Sequence, residues 1–278
     1  MNLTNLQGLP DAFVAAVKND PYTGGGDISV TKLIDSPQKR SLYSKYKEFV
    51  VEDVSERVWS LMGQAVHTVL ERAGTSALVE ERLYMDVNGK QLSGQFDRLH
   101  LGDKCLQDWK VTTTFKAKGD IGWERQLNVL RALANANQYQ VEKLQVIAIL
   151  RDWRRTEVLR NPDYPKSNVI IIDVPVWTME ETHAYIEERM ALHEQAQAGD
   201  FVPCTDEERW YAGSTFALTK IGGKRATKVA PNRDDLGEPP DGYEITERKG
   251  GYRRCEGFCE VANFCPQWQL TQKEGVEL

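Results

Sequence analysis

The chain lacks a basic excess. Its 35 lysines and arginines are outnumbered by 41 acidic residues, for a net charge of -6. That excludes a histone-like coating of DNA. It leaves a nuclease open, because a metal neutralises phosphate locally and a basic groove can sit on an acidic body. There is no secretory signal: MNLTNLQGLPDAF has no basic start followed by a long apolar run. No apolar segment approaches membrane-spanning length. The expected compartment is therefore a reducing cytoplasm, with no membrane partner. Cysteine is scarce, five in 278 residues. In such a compartment these are poor disulfide candidates and better metal ligands or buried hydrophobes. Internal repeats and low-complexity tracts are also missing, which excludes a solenoid.

What is present suits a folded protein with a sizeable core: 41% hydrophobic and 27% charged residues. The length allows one large domain, or a domain plus a small module. Residues 1–27 read as loop-like and end in Gly24-Gly25-Gly26. A short apolar start at Ile28 leads through Ser36-Pro37 into a basic stretch with Lys39, Arg40, Lys45 and Lys47. That stretch is either a solvated helix face or a phosphate-facing patch. Val54 to Leu70 follows a helical period through Val54, Val58, Leu61, Met62, Ala65, Val66 and Val69. Gly63 inside it costs about 1 kcal/mol relative to alanine, which suggests close packing or a function.

Three strands follow. Glu81 to Val87 turns at Asn88-Gly89 into Gln91 to His100, and Lys104 to Val111 completes the meander. Trp123 to Asn137 reads as a helix with Leu127, Leu130 and Ala134 inward. Leu144 to Leu150 is a continuous apolar run and so a buried strand. Another strand spans 168–176, and a long helix spans 179–198, capped by Gly199. This order favours an α/β fold, a mixed central sheet flanked by helices. The expected division is an N-terminal segment 1–27, a core 28–199 and a C-terminal module 200–278.

The chemistry concentrates in Gly94 to Lys110, GQFDRLHLGDKCLQDWK. Alternation along a strand sends Asp108 and Lys110 to one face and Trp109 to the other. Buried carboxylates need partners or a metal. Two acids, Asp97 and Asp108, beside a lysine fit a divalent cation next to an amine, although Asp-x-Lys alone usually marks a solvated strand face. His67 shares a helix stripe with Gly63 and is either a satisfied core histidine or a ligand. Gln126 opens the helix next to the sheet. Glu81 is near enough to assist, with structural use the simpler reading.

Four of the five cysteines lie after Gly199. Cys255, Cys259 and Cys265 fall within CEGFCEVANFC, and Cys204 lies upstream. The C-x3-C-x5-C spacing is not a usual zinc-finger pattern. With Cys204 as a fourth thiolate, the group could hold a four-iron cluster or zinc, in a structural more than a redox role. Free packed or exposed thiols are the plainer reading. Cys105 is explained by core packing. Lys220, Lys224, Arg225 and Lys228 surround a Gly-Gly turn, which is either an exposed hairpin or a DNA-backbone contact.

Together these residues resemble the PD-(D/E)XK nucleases, in particular the RecB-like branch that includes CRISPR-adaptation and phage exonucleases. The resemblance runs from Ile28 to Gln267. ISVTKLIDSP resembles the branch's leading segment, and GQAVH its helix with a metal-binding histidine, here His67. GQFD and QDWK resemble its acidic motifs, giving Asp97, Asp108 and Lys110. WERQLNVL resembles its glutamine helix, giving Gln126. Two departures stand out. The branch's Q-x3-Y has Leu130 in place of tyrosine. Iron–sulfur members carry a first cysteine in the leading segment, where this chain has Ser36.

The resemblance implies a restriction-endonuclease-like core with a small C-terminal metal-stapled module. It implies phosphodiester hydrolysis of DNA with a free end, assisted by Mg²⁺ or Mn²⁺. The ion would be held by Asp97, Asp108, the Trp109 carbonyl and His67, with Lys110 and Gln126 at the reacting group. It implies a 4Fe-4S cluster, with Zn²⁺ as the alternative, on Cys204, Cys255, Cys259 and Cys265. A helicase, a recombinase or a second copy of the chain are the expected protein partners, and a viral origin would put the protein in the host cytoplasm. The competing expectation is a non-catalytic DNA-binding or structural subunit on the same fold.

Overall fold

The structure is a computed structural model that describes residues 2–19, 24–73 and 77–276, the last three in backbone only. Labels below cover the strands of the two larger sheets and the helices of eight residues or more, in chain order.

The central sheet holds β1 (Ile28–Ser29), β2 (Leu78–Val87), β3 (Lys90–His100), β4 (Cys105–Thr112), β5 (Lys143–Leu150) and β6 (Val169–Val174). Its order is β1-β3-β4-β5-β6, with β2 on the other edge of β3. It is mixed: β1 runs parallel to β3 and β4 parallel to β5, while the other pairings are antiparallel. The Asn88-Gly89 turn joins Val87 to Lys90 directly and so fixes the β2–β3 register. The apolar run of β5 is central as expected, with Leu144, Val146 and Ala148 fully covered.

Helices cover the sheet. They are α1 (Asp11–Lys18), α2 (Pro37–Tyr46), α3 (Val58–Glu71), α4 (Ile121–Ala136), α5 (Met179–Ala198) and α6 (Pro266–Val276). Asp120 caps α4 and a Thr178/Glu181 capping box starts α5, so both begin where their sequences supply acceptors for free backbone N–H groups. The main core joins Leu92, Phe96, Leu99 and Leu106 of the sheet to Leu127, Leu130 and Leu133 of α4 and Ile186 of α5. Gly94 lets α4 approach: a Cβ there would sit 2.6 Å from Leu130 Cδ2. The α/β architecture with a mixed sheet and flanking helices is thus the one expected.

Three local expectations need correction. The segment 1–27 is not all loop: strand Asn2–Thr4 pairs parallel with Val51–Asp53, and α1 follows. The Asp53 carboxylate, accepting from Leu6 N and Thr4 Oγ1, ties this segment down through a contact far away in sequence. Residues 1 and 20–23 of it lie outside the described residues. Second, α3 has the expected period but no fully buried residue, and Trp59, Met62 and Val69 are exposed. Its main contacts are with β4, α1 and the 54–57 turn, which leave much of its apolar stripe uncovered. Third, nothing lies within 4 Å of a Cβ built on Gly63, so close packing is not its reason.

After α5 the chain forms β7 (Thr215–Lys220), β8 (Ala226–Ala230) and β9 (Tyr243–Arg248), a separate antiparallel sheet. It then returns to α2. Val261 and Cys265 pack with Leu42 and Val50 in a second small core, and Phe264 stacks on Tyr46 with centroids 4.6 Å apart. Arg254 bonds Asp35 at 2.6 Å.

Candidate functional site

The β3–β4 ladder pairs Arg98 with Gln107, and the pairing stops there. The next opposed pair would be Asp97 and Asp108. Here the strands splay, and the Asp97 carboxylate replaces a ladder carbonyl by accepting from Trp109 N at 2.5 Å. Both acids are buried, at 7% and 3% exposure. A closed ladder would leave no room between them; the splay opens a cleft with two carboxylates in its walls.

Lys110 Nζ stands 2.7 Å from Asp108 Oδ2. It donates to Gln126 Oε1 at 3.1 Å, and Gln126 Nε2 donates to Asp108 Oδ1 at 3.1 Å. Gln126 sits in the second turn of α4, so the helix that fills the core also closes this ring of three. Burial alone would lower the Lys110 pKa; Asp108, and Asp97 behind it, reverse this and hold it above its ordinary value. No aligned hydrogen-bond donor reaches Asp108 Oδ2, whose lone pairs are left to the nearby ammonium.

On the other side, α3 delivers His67. Its Nε2 lies 3.0 Å from the Trp109 carbonyl oxygen, and its Nδ1 lies 3.3 Å from Glu80 Oε1 and 3.5 Å from Asp97 Oδ1. The Trp109 ring meets the imidazole edge-on, 5.6 Å between centroids. Burial opposes charge on His67, but the bond from Glu80 and the charge of Asp97 outweigh it and raise its pKa to about 9. Burial, then Asp108, push Asp97 up to about 7. Both shifts favour the protonated forms.

The ligand atoms of His67, Glu80 and Asp97 lie within 4.8 Å of one another. Glu80 was not among the residues expected. It stands at the β2 position opposite Asp97, where the ladder skips a pair and the Glu80 backbone turns left-handed at φ 50°. That conformation is costly for a residue with a side chain and aims the carboxylate into the cleft. Gln95 Nε2 donates to Glu80 Oε2 at 2.6 Å, and Arg82 donates to Gln95. A signal was available: the two-residue turn sets 87 opposite 90, which puts 80 opposite 97. Glu81 accepts from Tyr139 OH at 3.0 Å, the structural use that was the simpler reading. Leu130 is buried in the core against Gly94, away from any substrate contact a tyrosine could make.

The cysteines gather elsewhere. Cys204, Cys255, Cys259 and Cys265 line one pocket together with Ser36. Cys204 Sγ lies 3.0 Å from Ser36 Oγ. Burial, only partly offset by that contact, raises the Cys204 thiol to about 11, and burial also raises Cys259. Among the described residues, no three of these sulfurs lie within 4.8 Å of one another. Cys105 is separate and buried, its thiol facing Gln145.

The basic residues divide. Lys39 is paired with Asp35 and Glu260, and Arg40 donates to the Asp27 carbonyl, while Lys45 and Lys47 are exposed. The β7–β8 hairpin keeps Lys220, Lys224, Arg225 and Lys228 exposed or nearly so; Lys228 donates to the Asp235 carbonyl.

No protein-family model and no curated protein matches the chain. Solved structures do. The protein SSO0001 is 19% identical, with a TM-score of 0.50, over 74% of this chain and 94% of its own. A candidate exonuclease from Eubacterium rectale is 13% identical over 80% of this chain and 84% of its own, at a TM-score of 0.35. A phage-related exonuclease from Haemophilus somnus is 13% identical over 67% and 79%, at 0.29. The first likeness shows a shared fold. The other two are too distant in geometry to add to it. No helix among the described residues is long and apolar enough to cross a membrane.

Proposed function

We propose that the chain is a metal-dependent deoxyribonuclease that hydrolyses phosphodiester bonds from the free ends of linear DNA. The observation that carries this reading is the splayed β3–β4 pair: two buried carboxylates, an ion-paired lysine and an imidazole around one cleft. The residues fit a divalent cation, because Asp108 Oδ2 is buried without an aligned donor and three further ligand atoms are already clustered. Asp97, Asp108, the Trp109 carbonyl and His67, joined by Glu80, would hold Mg²⁺ or Mn²⁺; the imidazole favours Mn²⁺. The cation supplies charge neutralisation at phosphate and a bound water of lowered pKa.

The chain's own groups do the rest. Lys110, kept cationic by Asp108, stabilises charge developing on the phosphate and orients the attacking water. Gln126 fixes both members of that pair. His67 and Glu80, hydrogen-bonded to each other, would serve as ligands to the cation.

The thiol pocket is read as a structural 4Fe-4S site with Cys204 in the fourth place. A tetrahedral zinc at 2.3 Å from each sulfur needs sulfurs about 3.8 Å apart, closer than any three stand here. The division into 1–27, 28–199 and 200–278, a cytoplasmic location, and action beside a helicase or recombinase belong to the same proposal. Burial of Leu130 favours one second reading, a DNA-binding subunit without catalysis.

The test is a gel assay with end-labelled linear DNA and circular DNA, single- and double-stranded, in Mg²⁺ or Mn²⁺. Loss of linear DNA only, absent in Asp108→Ala, supports the exonuclease. Cutting of circles changes it to an endonuclease. Binding without cleavage favours the second reading.

A further inference from the structure

The apolar stripe that α3 leaves uncovered lies beside the cleft and is aromatic and cationic where it meets the sheet. The Arg151 guanidinium stacks over the exposed Trp59 ring, 3.7 Å from its centroid. Arg151 N donates to the Thr112 carbonyl, and the Asp152 carboxylate accepts from Thr114 N at 2.7 Å. These bonds fasten the turn after β5 to the turn after β4. The next residue in that turn, Phe115, is 90% exposed. Lys110 precedes Thr112 by two strand residues, about 7 Å. Lys118, Arg154 and Arg155 are exposed in the same two segments, with Asp152 already used by Thr114.

We infer that Trp59, Arg151 and Phe115 form a stacking platform for unpaired bases of single-stranded DNA next to the scissile phosphate. This rests on the nuclease reading above. An exposed phenylalanine beside backbone-fastened turns and a tryptophan half open to solvent offer flat faces that bases fill regardless of sequence. Arginine held over an indole adds a cationic plane that stacks on a base and attracts the backbone. In a duplex the base faces are covered by one another, so only a frayed or single-stranded end reaches such a surface.

The test uses the full chain carrying Asp108→Ala, without added divalent metal, and fluorescence anisotropy with a labelled 15-nucleotide oligothymidylate. A matching blunt duplex and an abasic 15-mer are measured beside it. Adding Trp59→Ala and Phe115→Ala weakens oligothymidylate binding about tenfold for each aromatic and leaves the duplex affinity unchanged. Trp59→Phe with Phe115→Tyr restores it. The abasic strand binds the parent as weakly as oligothymidylate binds the double variant. Equal affinity of parent and double variant for oligothymidylate overturns the platform alone. Tighter binding of oligouridylate than oligothymidylate overturns the DNA assignment. No binding of any DNA by the parent overturns the nuclease reading with it.

Discussion

The two candidate metal sites are assembled in opposite ways. The carboxylate site is built on three adjacent strands and two helices, and its side chains are bonded to one another without a metal. His67 reaches Glu80, Lys110 reaches Gln126, and Asp97 holds a backbone N–H. The thiol site is made where the last part of the chain returns to α2. Its sulfurs have few polar contacts among the described residues, Ser36 with Cys204 and the Val261 N–H with Cys259, and its core is four buried residues. The first site is held by the fold and lends it chemistry. At the second, burial raises the Cys204 and Cys259 thiols, and the segment around it has little apolar area of its own. A cation should therefore be optional for folding at the first and contribute strongly at the second.

The largest effect that would break this contrast is on catalysis. Lys110→Ala or Asp108→Ala should reduce kcat by a factor on the order of 100 to 1,000 or more, with the melting temperature shifted only a few degrees. Full cleavage by Lys110→Ala would sink the assignment. Next, Cys255→Ala should remove bound iron or zinc and lower the melting temperature more than Lys110→Ala does. Metal analysis beside calorimetry decides this, and unchanged metal content and stability would remove the site.

Glu80→Ala should weaken divalent-metal affinity about 10- to 100-fold by freeing His67 and Gln95, read by calorimetric titration with Mn²⁺. Protons compete with the cation at His67, raised to about 9, and at Asp97, raised to about 7. Apparent Mn²⁺ affinity should therefore rise with pH from about 6 to about 9 and then level, with proton release on binding. A flat profile would contradict the raised His67 and Asp97 values. The smallest effect separates two glycines. Gly63→Ala should stabilise by up to about 1 kcal/mol, since the site is open helix surface. Gly94→Ala should destabilise, because its Cβ would collide with Leu130.

Much of the site was legible. Period-2 alternation puts Asp108 and Lys110 together, and Gln126 is at the helix start that follows. Glu80 was legible only through arithmetic, by counting register back from Asn88-Gly89. Its left-handed backbone was not, because no residue type there demands it. The partner of Glu81, Tyr139, was not legible either, since it lies 58 residues away.

The sequence by itself determined the order of elements, the mixed sheet and the identity of the acids and the lysine, because these follow from periodicity and turn chemistry within short stretches. Only the tertiary structure decided that β3 and β4 splay at Asp97 and Asp108, and that α3 leaves Trp59 uncovered. It alone set Cys204 beside Ser36, 168 residues away. Those outcomes depend on which surfaces meet and which run out of partners, and local sequence carries no record of either.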